Sequence, residues 1–269
     1  MKLPVKTVQN TDAGSMMLPP QFDELVRPDL ISRAVLSYES QQRQPYGGKK
    51  DAGMRASAEL SRRRRNYRGS YGHGISRVPR KIMSRKGTRF NWVGAFAPGT
   101  VGGRKAHPPK PEKQWAQKIN TKEKQKALRS ALAATMHPTL VAQRGHLIPK
   151  GYPFIIENTL ETLSKTKEVT KVLNQLGFTD DLTRTSQRTI RAGKAKRRGR
   201  KYQTKKGALL VVGDEQCKLI KGAQNIPGVE IVPVHSLHTK HLAPGCHPGR
   251  LTLFTKNAIE KIEKEKLFM

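Results

Sequence analysis

The chain has 269 residues, and its 52 Lys and Arg against 20 Asp and Glu give a formal net charge of +32. A free globular protein with that excess repels itself, so a standing polyanionic partner is implied: nucleic acid, an anionic membrane surface or an acidic protein. Two cysteines cannot build a disulfide framework, and no apolar run approaches signal-peptide or membrane-span length, so the expectation is a cytoplasmic protein, neither secreted nor membrane-embedded.

The hydrophobic fraction of 35% lies below the roughly 45–50% of a wholly compact protein. That predicts a moderate core plus segments that do not fold by themselves. Lys2 to Val8 reads as a short strand. Pro28 suits a first helical turn, and Leu30, Ile31, Ala34, Val35 and Tyr38 then recur at helical spacing. From Gly47 to Lys105 there are 16 Lys/Arg, two acids (Asp51 and Glu59) and 11 glycines. No period of either kind is sustained there, and such a stretch has too little apolar surface to offset its ordering entropy. It is expected to take its shape on a partner.

Order returns near His107. Asn120 with Glu123 resembles a capping box, and Leu128, Ala131, Leu132 and Thr135 share the face of the helix that follows. Pro153 to Glu157 reads as a short buried strand. Val169, Val172, Leu173 and Leu176 mark another helix, which Gly177 should end. Residues 184–206 form a second basic tract with 11 Lys/Arg and no acid. Beyond it the order is strand (Ala208 to Val212), helix after Asp214, strand (Val229 to Val234), strand (Leu251 to Phe254) and a closing helix from Lys256 to Lys266 with Ile259 and Ile262 inward. Alternating helices and apolar strands predict a mostly parallel, covered α/β sheet.

Catalytic and metal-binding constellations are weak. The segments GSYGHG (69–74) and GTVGGRK (99–105) lack the spacing and the Lys-Ser/Thr ending of a phosphate-binding loop. Val212, Gly213 and Asp214 come nearest to a cofactor-binding glycine turn and match it poorly. His238, His241, Cys246 and His247 are the one cluster of metal-ligating residue types, but Pro244, Gly245 and Pro248 break up their geometry, so a plain loop is the better reading. There is no Gly-x-Ser-x-Gly elbow. The adjacent acids Asp180–Asp181 and Asp214–Glu215 read as complements to helix N-termini rather than magnesium ligands.

The basic tracts say more. Arg62, Arg63, Arg64 and Arg65 are consecutive and are followed by Asn66, Tyr67, Arg68 and Tyr71. Guanidinium groups donate paired hydrogen bonds to phosphate and stack on bases. Tyr67, Tyr71, Phe90 and Trp92 offer surfaces for unstacked bases, the mode by which irregular RNA is recognised. No helix-turn-helix, paired-Cys zinc module or leucine zipper points to duplex DNA, and neither tract forms an amphipathic basic helix for a membrane.

At this point the chain resembles a known family, that of large-subunit ribosomal protein four in its archaeal and eukaryotic form. The matching stretches run in order over nearly the whole length: RPDLISRAVL (27–36), RQPYG (43–47), GGRKAHPPKPEK (102–113), RSALAAT (129–135), LVAQRGH (140–146), RGRKY (198–202), LAPG (242–245) and PGRLTLFT (248–255). The absence of a long C-terminal extension favours the archaeal type. The resemblance implies a Rossmann-like α/β domain (1–45 and 106–269) with a mostly parallel sheet flanked by helices. It also implies an extended non-globular loop (46–105) that reaches the polypeptide exit tunnel. There it would help form the constriction with the ribosomal protein twenty-two family and would meet the nascent peptide transiently. The loop tip would comprise Arg68, Gly69, Ser70, Tyr71, Gly72, His73, Gly74 and Ile75, where RGSYGHGISRV departs from the usual family wording.

The expected function is therefore that of a non-enzymatic constituent of the large ribosomal subunit, bound to rRNA and supporting assembly. It needs no cofactor, structural magnesium being held by the rRNA. Expected RNA contacts along the loop are Arg55, Arg62, Arg63, Arg64, Arg65, Tyr67, Arg68, Tyr71, Arg77, Arg80, Lys81, Arg85, Lys86, Arg89, Trp92, Arg104 and Lys105. From the second tract they are Arg191, Lys194, Lys196, Arg197, Arg198, Arg200 and Lys201. Two alternatives stand beside this: an RNA-modifying or RNA-cleaving enzyme on the same sheet, and a translational regulator that binds messenger through the same basic surface.

Overall fold

A computed structural model describes residues 1–55, 58–67 and 69–269. The chain divides into two compact units, Met1–Gln42 with Ala116–Met269 and, between them, Arg43–Trp115. No helix among the described residues is long and apolar enough to cross a membrane.

The larger unit is built on six strands: β1 (Lys2–Lys6), β2 (Asp12–Met17), β5 (Ile155–Ile156), β8 (Leu209–Val212), β9 (Glu230–Pro233) and β10 (Thr252–Thr255), with β3, β4, β6 and β7 lying in the separate hairpins described below. Their order is β2-β1-β5-β10-β8-β9, and only the β1–β2 pair is antiparallel. The apolar runs explain why. Helices cover both faces of a parallel sheet, so successive residues of a strand are both buried, one to each side. Leu209 and Val211 of β8 enter one core, while Leu210 and Val212 enter the other. Phe254 and Leu253 of β10 divide in the same way.

On one face lie α1 (Pro28–Gln41), α2 (Thr121–Thr135), α7 (Thr239–Leu242) and α8 (Lys256–Lys264). On the other lie α3 (Pro138–Gln143), α4 (Thr166–Gln175), α5 (Thr179–Ser186) and α6 (Lys218–Ala223). Helix α4 ends as Gly177 predicts. Gly177 has φ +87, and the Phe178 N–H reaches back to the Leu173 carbonyl at 3.0 Å while Gly177 donates to Asn174. The central helix α2 is buried on more than one face, from Ala127 through Thr135 apart from the half-buried Arg129, because α1, α3 and α7 surround it.

Several expectations change. No capping box forms at Asn120, whose side chain makes no cap bond. Glu123 reaches Arg33 of α1 instead, at 3.3 Å. The strand β2 was not foreseen, since it is an exposed edge whose sequence, DAGSMM, carries no alternation. Asp214 does not serve the start of α6; it pairs with Lys261 of α8. Asp180 and Asp181 do lie in the first turn of α5, but Asp181 is buried and holds Arg184 and His146.

The two chain ends that leave the larger unit are tied together within it. The Ser37 hydroxyl donates to the Gln117 carbonyl at 2.6 Å, and the Gln117 N–H donates to the Ser40 hydroxyl at 2.9 Å. Replacing residues 45–112 by a short glycine linker is therefore expected to leave a single cooperative thermal transition and the helical far-ultraviolet signal. A non-cooperative melt of that variant would show that the removed segment belongs to the larger unit's core.

Candidate nucleic-acid interface

The Arg43–Trp115 unit carries 19 Lys/Arg against three acids, a net +16 and half of the chain's excess. It is not the structureless segment that its composition predicts. A hairpin of β3 (Arg80–Lys86) and β4 (Arg89–Gly94) runs through it, with a bulge between Ile82 and Ser84 that breaks the alternation a reader of the sequence looks for. Gly87, at φ +57, opens its two-residue turn, where the primed turns that match hairpin twist need a positive φ.

One face of the hairpin is aromatic. Phe90 and Trp92 sit two residues apart with ring centroids 5.3 Å apart, Tyr67 meets Phe90 edge-on at 5.2 Å, and His73 meets Trp92 edge-on at 6.2 Å. The Tyr67 hydroxyl also donates to the Gly87 carbonyl at 3.1 Å, which ties the preceding segment to the turn. Arg80 lies over Trp92 at 5.6 Å, and Arg64 and Arg77 both lie over Tyr71, at 5.1 and 5.8 Å. Such contacts hold guanidinium groups in place; Arg64 also donates to the Tyr71 hydroxyl at 3.1 Å and Arg80 to the Val78 carbonyl at 3.3 Å, which leaves the remaining N–H groups of each fork for other acceptors. Lys81, Arg85, Lys86 and Arg89 stand exposed on the same hairpin, and Arg62, Arg63, Arg64 and Arg65 are exposed beside it.

The remaining loop residues fall into place around this hairpin. Arg55 is exposed. Arg104 is half-buried and packs with Phe96 against Gly53, at φ +75, and Lys105 is exposed. Of the expected tip, Gly69 and Ser70 are buried, while Tyr71, Gly72, His73, Gly74 and Ile75 are exposed. Arg68 lies outside the described residues. Near the two ends of this unit, Tyr46 stacks on Trp115 at 5.3 Å, and Arg43 and Lys113 lie over the Trp115 ring at 4.0 and 4.4 Å. This clasp joins the end residues of the compact unit, Arg43 and Trp115.

The second tract forms its own projection. Strands β6 (Thr189–Ile190) and β7 (Tyr202–Gln203) pair antiparallel, and between them a 3-10 turn (Gly193–Arg198) ends on Gly199 at φ +77. Arg191, Lys194, Lys196, Arg197, Arg198, Arg200 and Lys201 are all exposed on it. Exposed Ile190 and Tyr202 share the hairpin with them.

Which cations are free is decided by the acids. Among the described residues, every ion pair lies in the larger unit; none engages a basic residue of Arg43–Trp115 or of residues 187–205. By contrast Arg250 is fully buried. Its Nη1 donates to Glu230 at 2.6 Å and to the His241 carbonyl at 2.8 Å, and its Nε donates to the Gly207 carbonyl at 2.9 Å. Burial alone would raise the Glu230 carboxyl, but Arg250 and Lys206 together hold it below its ordinary value. Arg144 is committed as well, to the Pro244 and His247 carbonyls. Burial, with Arg250 and Arg184 nearby, pushes its guanidinium down to about 10.

The sites tested for chemistry resolve differently. In open α/β sheets ligands bind beyond the carboxyl ends of the strands. Here the turn after β8 already holds an anion of the chain's own. Glu161, nearly buried, accepts from the Gly213 N–H at 2.9 Å, the Thr255 hydroxyl at 2.6 Å and Asn257 at 3.4 Å. A side chain at Gly213 would run into Asn257. A phosphate cannot share that place with a carboxylate. His238 and His241 stack at 5.7 Å, and the His238 N–H donates to His241 Nδ1 at 3.2 Å. Burial, and then the neighbouring His238, push His241 down to about 4. The Cys246 thiol faces the Ser32 carbonyl at 3.8 Å. Among the described residues no group of three His, Cys, Asp or Glu is placed to hold a metal ion. The signal that sequence reading missed was Glu161, because its partners Gly213, Thr255 and Asn257 are distant in sequence and of unremarked type.

Residues 16–265 match the family described as the ribosomal protein L4/L1 family. The chain is 48% identical to the large ribosomal subunit protein uL4 of Nanoarchaeum equitans over 268 residues, which cover 100% of both chains. It is 44% identical to that of Archaeoglobus fulgidus over 97% of both, and 45% identical to that of Methanopyrus kandleri over 98% of both.

Proposed function

The chain belongs to the ribosomal protein L4/L1 family, and from that membership we propose that it is an rRNA-binding scaffold of the large ribosomal subunit whose main RNA-facing surface is the Arg43–Trp115 unit. The family is one of structural ribosomal proteins, so the protein is not an enzyme, and it works in the cytoplasm within the ribosome. The observation that carries the RNA reading is the unit's +16 charge with no internal ion pair among the described residues. A surface of that kind, studded with aromatic rings, suits irregular single-stranded and looped RNA, whose phosphates meet the cations while splayed bases stack.

In this reading residues 46–105 follow the rRNA to the exit tunnel, where the Arg68 to Ile75 segment lies at the constriction beside a ribosomal protein twenty-two and the nascent peptide. The second basic tract (184–206) grips rRNA separately, the α/β unit supports subunit assembly, and any structural magnesium is held by the rRNA. The test is the salt dependence of binding to large-subunit rRNA fragments. Affinity is expected to fall steeply, the log–log slope growing by roughly 0.7–0.9 for each phosphate contacted. Equal binding from low to high salt would sink the electrostatic reading.

A further inference from the structure

Within the Arg43–Trp115 unit a cavity of about 690 Å³ opens beside the hairpin, within the size range of small-molecule sites. Trp92 and Arg80 line it from the hairpin, and Arg55, Glu59, Asn66 and Ser70 line it from the preceding segment. We propose that this cavity is a receptor for a single unstacked nucleobase extruded from the bound RNA. The proposal rests on the RNA reading above and specifies the ligand of that surface.

Three observations carry it. Ser70 is only 4% exposed, yet its hydroxyl has no hydrogen-bond partner among the described residues. A buried hydroxyl without a partner is unfavourable unless something else occupies the site. Secondly, Trp92 gives the cavity a π surface, and aromatic faces stack bases of any sequence. Thirdly, the lining residues Ser61 and Asn66 bracket the exposed Arg62, Arg63, Arg64 and Arg65. Phosphates held by those arginines would lie at the rim, with the base directed inward. Glu59 in the lining can only accept hydrogen bonds. It can take a hydrogen bond from the amino group of adenine, cytosine or guanine or from N3–H of uracil, so preference among the bases follows stacking strength on Trp92, which favours adenine over uracil. A partner protein's side chain fits this lining less well, since the rim is cationic and the walls offer a stacking face.

The test uses the full chain with Trp115→Phe, so that Trp92 is the single tryptophan. Its emission is followed while hexamers of adenylate, of uridylate and of abasic ribose-phosphate are added at fixed salt, with binding read in parallel by the anisotropy of labelled RNA. The adenylate hexamer is expected to quench Trp92 and to bind about tenfold more tightly than the abasic one, as the loss of a base stack requires. Uridylate should fall between them. Trp92→Ala should abolish the preference for base-bearing RNA. Trp92→Phe, which keeps a ring and guards against misfolding, should retain most of it, and Ser70→Ala should reduce it. Equal affinity for adenylate and abasic hexamers would overturn the base site while leaving the RNA surface intact. Binding of adenylate without any change in Trp92 emission would also overturn it. If no hexamer bound at all, both readings would fail.

Discussion

Changing Arg62, Arg63, Arg64 and Arg65 together to glutamine is expected to weaken binding to large-subunit rRNA fragments by about 10- to 1,000-fold near physiological salt, and to flatten the salt slope by about three. The reasoning is that each arginine on a phosphate releases counterions, so four lost contacts change both affinity and slope. All four are exposed, none is in an ion pair among the described residues, and all lie outside the larger unit, so the stability of that unit should be untouched. The thermal midpoint of the variant checks that. A matched control removes the same charge elsewhere: Lys165, Lys167, Lys171 and Lys218, all exposed in the larger unit, changed to glutamine. Should the control weaken binding equally, the effect would be one of total charge, and the arginine run would lose its place as a contact site.

Arg250→Met is expected to lower the stability of the larger unit by about 3–5 kcal/mol, because it removes one partner of a buried pair and leaves the other groups unmatched. Arg250 is 0% exposed, and its removal strands Glu230 together with the carbonyls of Gly207 and His241. In a unit of this size that corresponds to a fall of roughly 10 °C in the melting midpoint. Lys206 still reaches Glu230, which keeps the loss from being larger. Arg250→Lys should recover only part, since an ammonium cannot serve three acceptors with the fixed fork of a guanidinium. Adding Glu230→Gln to Arg250→Met should restore some stability by removing the stranded charge, and the coupling between the two changes is read from the double-mutant cycle. A midpoint within about 2 °C of the parent would mean that hydrophobic contacts of the methionine replace the pair entirely.

These two expectations concern arginines that look alike in the sequence and behave in opposite ways. Much of the fold was legible in advance. The run before Val212 is apolar throughout because β8 is covered on both faces, and Gly177 ends α4 because a left-handed residue is needed there. Where reading failed, the reason was local ambiguity. Asn120 and Glu123 have the right spacing for mutual capping, but Arg33, ninety residues away, takes the glutamate. The hairpin from Arg80 to Gly94 escaped notice because its bulge shifts the alternation and its exposed face is filled with cations. The plug at the turn after β8 joins Glu161 to Gly213, Thr255 and Asn257, and no spacing rule brings those four residues together.

By itself the sequence determined the sign and placement of the charge, the two glycine- and arginine-rich tracts, the buried strands and the family. The charge, the tracts and the strands are properties of composition and of short-range periodicity, while the family is carried by ordered stretches such as GGRKAHPPKPEK and PGRLTLFT. The tertiary structure alone decided which cations are available. Arg250, Arg144, Arg184 and Lys261 are held by buried carboxylates or backbone carbonyls within the α/β unit. The arginines beside the hairpin are in no ion pair among the described residues. Availability depends on neighbours brought together by folding, and the acids of this chain are gathered almost wholly into one of its two units.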